Sequence, residues 1–389
     1  MKLLLATNHL GLGGSESYLF TVAEQLDRLG HTVAVFAADP GPGAEVARER
    51  CIELVGEAGL GDGFDAALVQ DAGVSLLLGD RCPSVPQLFV AHSEIFDLQA
   101  PPQLDGIVGV VVALNERVAS RMRSFATGVE VVRLRQPIDT ERFAPRSELP
   151  RAARRVLLLS NTPNADRLRM LEDACAKAGL ELIRIGGTNG GTTDPRPALA
   201  RAEIVIGYGR SILEAMACGR AAYVYDWHGG DGWVTAESYA GIESDGIGGR
   251  MPDRPIDAQR LAQDLRDYEA GMGPVNHDLV MAHHRANVHA QELVDLFERL
   301  AKPPPRARAP LEEMARLVRL EWRAQGDVQA LSRENVRLNA LLGESEQRAK
   351  EAEEKAAGEW ERARRAYEST LSWRVTRPLR ALSGLFGRR

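Results

Sequence analysis

The chain has 389 residues, of which 44 % are apolar, 26 % charged and only 5 % aromatic, and its net charge is −6. That length predicts two domains with an appendage, and the acidic balance excludes a whole-molecule nucleic-acid binder, which needs clustered Lys and Arg against phosphates. Cys51, Cys82, Cys175 and Cys218 lack zinc-site or disulfide-framework spacing, and no apolar run reaches the roughly 18 residues of a membrane span.

Leu3 to Ala6 reads as a buried strand, Tyr18 to Leu29 as a helix and Thr32 to Ala37 as a second strand, which together make a βαβ unit. Between strand and helix lies HLGLGGSES, His9 to Ser17. Gly13 and Gly14 there let a sugar or phosphate approach the backbone; the plain alternative is a tight turn with Ser15 as N-cap. Glu16 stands where a dinucleotide fingerprint has its third glycine, which disfavours NAD. Further strands are predicted at Ala66 to Val69, Gln87 to Ala91, Ile107 to Ala113 and Val129 to Leu134. These runs imply a parallel sheet covered on both faces. His92 follows one of them directly, either as a site residue or as a structural hydrogen-bonding group.

After a connector near Pro145 the pattern restarts. Strands are predicted at Val156 to Leu159, Glu181 to Ile185, Ile204 to Ile206 and Ala221 to Tyr225, with helices at Arg167 to Ala178 and Ser211 to Cys218. In IGYGRSILEAMACGR, Tyr208 and Gly209 form the turn into the second helix. Amides at Gly209, Arg210 and Ser211 would meet a diphosphate, Arg210 would neutralise charge, and Glu214 would accept from ribose hydroxyls. In DWHGGDGW, Asp226 to Asp231, with His228, Gly229 and Gly230, read as the loop after the last strong strand. His283 and His284 read as surface residues without metal-site partners.

The predicted boundaries are 1–150 and 151–300 for two α/β domains, 301–310 for a Pro-rich linker, 311–370 for a helix and 371–389 for a basic tail. In the helix, Val328, Leu331, Asn335, Leu338, Leu342, Ser345, Ala349, Ala352 and Ala356 recur at coiled-coil spacing. That seam predicts a homo-oligomer; a solvated single helix is the alternative. The tail combines Trp373, Leu379 and Phe386 with five arginines, which suits an anionic membrane surface, or it caps the coil. The expected location is the cytoplasm, with peripheral attachment at the inner face of the plasma membrane.

GGSESYLFTVAEQLDRLGHTVAVF, QPIDTERFAP at Gln136 to Pro145 and GYGRSILEAMACGRAAYVYD at Gly207 to Asp226 together resemble the GT-B glycosyltransferases of family 4, over residues 1 to 300. The resemblance implies two Rossmann-like domains facing a central cleft. It further implies a retaining transfer from a nucleotide-sugar donor, with no cofactor beyond that substrate and no obligatory metal. By position, Glu214 matches the ribose-binding second glutamate of the family's Glu-x7-Glu motif, and Ile206 stands where the first belongs. The family's basic pair is replaced by Asn161, Arg167 and Arg169, and His92 falls at a cleft-facing histidine. SWRVTRPLR looks like a segment appended to bacterial surface-polysaccharide enzymes, which favours a glycan or lipid-linked acceptor in envelope synthesis. Two rival readings are a catalytically silent homologue acting as a glycan- or nucleotide-binding scaffold and an oxidoreductase; Glu16 and the second-domain motif oppose the latter.

Overall fold

The computed structural model describes residues 1–125, 128–160, 165–186, 192, 194–226, 229–250, 256–300, 302 and 311–370. The first half mostly alternates strands with helices: β1 (Lys2–His9), α1 (Gly14–Arg28), β2 (Thr32–Asp39), α2 (Gly43–Glu49), β3 (Glu53–Val55), β4 (Ala66–Val69) and α3 (Ala72–Arg81). It continues through β5 (Gln87–Ala91), β6 (Val108–Ala113), α4 (Glu116–Phe125) and β7 (Glu130–Arg133). These strands form one parallel sheet in the order β3-β2-β1-β4-β5-β6-β7. The apolar run in β1 has its reason here. Leu3 and Leu5 enter the core on one face, Leu4 and Ala6 the core on the other, and all four are fully buried.

The second half holds β8 (Arg155–Leu159), α5 (Ala165–Ala178), β9 (Glu181–Ile185), α6 (Arg196–Leu199), β10 (Ile204–Gly207), α7 (Arg210–Ala217) and β11 (Ala221–Asp226). β12 (Gly229–Trp233), α8 (Tyr239–Ser244), α9 (Ala258–Arg266), α10 (Met272–His283) and α11 (Ala286–Arg299) follow. The sheet order is β12-β11-β10-β8-β9. All pairs are parallel except β11 with β12, so Gly229 to Asp231, expected as loop, open an antiparallel edge strand. Its glycines are needed there: a Cβ on Gly230 would lie 2.5 Å from Ile256 Cδ1 and 3.0 Å from the Val224 carbonyl.

Both sheets belong to one compact unit, Met1–Met314. Helix α11, which the sequence division assigns to the second half, buries Ala290, Leu293, Val294, Leu296 and Phe297 in the first sheet's core. The chain therefore crosses between the sheets twice. Ile138 N donates to the His284 carbonyl at 2.7 Å, and Ala286 N donates back to the Ile138 carbonyl at 3.0 Å.

A second unit starts at Ala315, within the first turn or so of helix α12 (Leu311–Glu368), which makes up nearly all of its described part. At 58 residues it extends about 87 Å. Val328, Leu331, Leu338 and Leu342 of the expected seam are all more than half exposed, and Asn339 donates to Asn335 at 2.8 Å. The basic tail lies outside the described residues. No described helix is long and apolar enough to cross a membrane.

Candidate functional site

The carboxyl ends of β1, β5, β8 and β10 converge on two adjoining cavities, where ligands bind in open parallel sheets. The turn after β1 forms one wall. The N-cap of α1 is Gly13 and not Ser15, because Glu16 folds back as a cap: Gly13 N donates to Glu16 Oε2 at 2.9 Å and Ser15 Oγ donates to the same oxygen at 3.1 Å. That carboxylate offsets the positive end of α1.

The opposite wall is the β10–α7 turn. Gly209 has φ +57°, in a region that suits glycine, and its N–H is held by the Ile247 carbonyl at 2.9 Å. A Cβ on Gly207 would lie 2.8 Å from the Leu159 carbonyl, so this turn is pressed against the end of β8. Arg210 then opens α7. Its Nε donates to Glu214 Oε1 at 2.8 Å, and its two terminal nitrogens donate to the Pro137 carbonyl at 2.9 Å and Thr21 Oγ1 at 3.0 Å. One guanidinium thus joins α1, the connector and α7. Glu214 is only 9 % exposed; burial pushes its carboxyl pKa up, and Arg210 opposes that shift.

The first cavity, about 270 Å³, is lined by Gly13, Glu16, Ser160, Arg210, Ser211 and Glu214 together with Arg50 and Arg142. The second, about 350 Å³, is lined by His92, Asn115, Gln136, Glu243 and Ile247. Ion pairs of Arg117 with Asp245 and Glu94 with Arg250 join its two sides. Gly14, Tyr208, Gly209 and Arg210 line both cavities, so the start of α7 separates them. His92 sets its ring edge-on to Tyr18 at 5.0 Å, and its buried Nε2 has no hydrogen-bond partner. Burial first, then Arg210, pushes its pKa down to about 4, so the imidazole is neutral near pH 7.

Of the residues proposed from sequence, His92, Gly13, Gly14, Tyr208, Gly209, Arg210, Ser211 and Glu214 come together around these cavities. Arg167, Gly229 and Gly230 do not line them. Arg167 stacks over the Tyr225 ring at 5.4 Å, beside Gly229. Asn161 and His228 lie outside the described residues. Ile206 is fully buried inside β10, paired with Tyr223 and Leu158, so the position eight residues before Glu214 faces the apolar core and not a cavity. A carboxylate there would meet no partner.

His284, expected at the surface, is 2 % exposed; its Nε2 meets Tyr239 Oη at 2.8 Å and its Nδ1 the Gln136 carbonyl at 2.7 Å. It ends α10 where the chain crosses between sheets, a burial that helical periodicity does not register. Arg50, Arg142, Asn115 and Glu243 are cavity residues that sequence reasoning missed. Only Arg142 carried a signal, as part of QPIDTERFAP.

An α/β fold with parallel sheets meeting at such a cleft defines a structural class. A glycosyltransferase from Rickettsia africae is similar over 76 % of this chain and 98 % of its own, at 13 % identity and TM-score 0.56. Anabaena HepE, in complex with UDP, is similar over 77 % of this chain and all of its own, at 12 % identity and TM-score 0.57. Sucrose-phosphate synthase from Thermosynechococcus elongatus matches over 77 % and 99 %, at 13 % identity and TM-score 0.53. The chain shares the GT-B fold of these proteins. No protein-family model matches the chain, and no curated protein matches its sequence.

Proposed function

We propose that the chain is a family 4-like GT-B glycosyltransferase that takes its sugar from a nucleotide-sugar donor. The observation that carries this reading is that both cavities meet at the start of α7, where the Arg210 and Ser211 amides lack intrahelical acceptors and the helix dipole favours an anion. The donor's nucleoside occupies the first cavity, beside Glu214. Its diphosphate crosses at the Arg210 and Ser211 amides, the Gly209 N–H expected to meet it being taken by the Ile247 carbonyl, and its sugar enters the second cavity, toward His92. HepE, a fold relative, is complexed with UDP and with UDP-glucose, which makes uridine nucleotides the first probes.

Transfer proceeds with retention: the leaving phosphate takes the proton of the attacking hydroxyl, and the protein orients the reactants and stabilises leaving-group charge. A neutral His92 acts as a hydrogen-bonding group, not as a cation. The acceptor is a glycan or lipid-linked saccharide of the cell envelope, entering from the Gly13 side. Residues 1–150 and 151–300 serve as acceptor and donor halves, with α11 returning to the first. Residues 371–389 attach the enzyme to an anionic membrane surface, and α12 pairs with a second copy of the chain through its exposed seam.

Calorimetric titration of UDP and UDP-glucose, followed by an assay of UDP release with candidate acceptors, tests the reading. Binding that Glu214→Ala weakens, together with turnover, is expected; absence of nucleotide binding overturns it. A second reading, a catalytically silent scaffold, is favoured by Ile206 inside the sheet and by Glu214 already paired with Arg210. Binding without turnover on any donor would select it.

A further inference from the structure

The segment that leaves α8 forms one wall of the second cavity, through Asp245, Ile247, Gly248 and Arg250. Its base is fixed. Gly246, with φ +79°, ends α8 in a Schellman turn: Gly246 N donates to the Glu243 carbonyl at 2.9 Å and Ile247 N to the Ile242 carbonyl at 2.8 Å. A Cβ on Gly246 would lie 2.5 Å from Asn115 Nδ2, and Asp245 pairs with Arg117, so this base is pressed against the turn between β6 and α4.

The next residue is strained. Ile247 has φ +58°, a left-handed conformation that suits glycine and that a β-branched side chain rarely adopts. Its side chain is buried in the core that holds Ile212 and Ile242. Its carbonyl, in this conformation, takes the Gly209 N–H at 2.9 Å. Gly248 and Gly249 follow without side chains, and Gly249 N donates to Asp231 Oδ2 at 3.1 Å. Arg250 then forms an ion pair with Glu94, which follows β5 on the opposite side of the second cavity. A fixed base, a strained pivot, two glycines and an ionic latch thus occur in that order.

We propose that Ile247 to Arg250 is an autoinhibitory strap: the Ile247 carbonyl occupies the Gly209 amide and the Arg250–Glu94 pair holds the strap across the second cavity until a nucleotide-sugar displaces both. The proposal rests on the nucleotide reading of the cleft. A diphosphate seated at the Arg210 and Ser211 amides competes for the Gly209 N–H as a charged acceptor against a neutral carbonyl, and charge-assisted hydrogen bonds are roughly twice as strong. Release lets Ile247 return to an ordinary backbone conformation, so relief of strain favours the displaced state. Holding the strap in place leaves only a fraction of the protein competent to bind, and apparent donor affinity falls by that fraction.

Hydrogen–deuterium exchange of the full chain with and without saturating UDP-glucose, beside calorimetric titration of the same ligand, tests the proposal. The peptide that carries Gly249 is expected to exchange faster in the complex, because its amide leaves Asp231. Arg250→Gln cuts the latch and also removes a positive charge from the cavity wall. The lost charge by itself would weaken an anionic ligand, whereas release of the strap makes UDP-glucose bind about tenfold tighter as the competent fraction rises. Slower or unchanged exchange of the strap in the complex, or unchanged or weaker binding by Arg250→Gln, overturns the strap and leaves the nucleotide reading standing. Absence of UDP-glucose binding by both proteins overturns the two together.

Discussion

Replacing Arg210 with methionine removes three hydrogen bonds and leaves the Glu214 carboxylate buried without its cation. Breaking a buried pair from one side costs about 3–5 kcal/mol, most of it the isolated charge. In urea, with a slope of roughly 3 kcal/mol per M for a unit this large, the unfolding midpoint falls by about 1 to 1.7 M. The deficit depends on pH. Glu214 in the folded chain already has a raised pKa from burial, and loss of Arg210, the chief opposing influence, raises it further. An acid with a folded pKa above its unfolded value of about 4.3 carries no penalty once protonated in both states. The penalty builds as pH rises from the unfolded to the folded pKa and is complete above the latter. Arg210→Met therefore loses more stability at pH 8 than at pH 5, and Arg210→Met/Glu214→Gln recovers much of the loss. Urea denaturation of the four proteins at both pH values checks this. An equal deficit at pH 5 and pH 8, or no recovery in the double variant, refutes the argument that the buried carboxylate dominates.

Gly230→Ala is expected to lower stability by about 1–3 kcal/mol, read by thermal unfolding, because its methyl meets Ile256, Tyr225 and the Val224 carbonyl within 3.0 Å. His92 and His284, held at about 4, and His289, held at about 3, are neutral when folded and take up protons on unfolding below their ordinary value of about 6.5. Stability is complete above that value and falls as pH drops toward 4, by about 1.4 kcal/mol per pH unit for each histidine. Urea midpoints from pH 7 to 5 measure it, and His284→Gln should flatten the slope. Leu331→Asp with Leu338→Asp is expected to halve the mass of the full chain in sedimentation equilibrium; an unpaired wild-type chain removes α12 as a dimer seam.

The central strands were legible because burial on both faces leaves continuous apolar runs, as in Leu3 to Leu5 and Ile204 to Ile206. β12 was not, since a strand made largely of glycine has no period, and its pairing with β11 depends on tight packing against Ile256. The turn at Gly207 to Ser211, at the edge of both cavities, was legible through its glycines. Its actual wiring was hidden: Arg210 reaches Thr21 across 189 positions of sequence, and no spacing rule encodes such a bond. The same holds for α11, whose amphipathic face is plain but whose partner sheet lies far upstream.

That return of α11 has a consequence in time. The first sheet is synthesised by Arg133, yet the helix that covers part of its core begins at Ala286, about 150 residues later. At roughly 5–20 residues per second, the nascent sheet waits about 8 to 30 s on the ribosome with the surface meant for Leu293 and Phe297 uncovered. The second sheet must be made within that interval, so the first to begin folding is the last to finish.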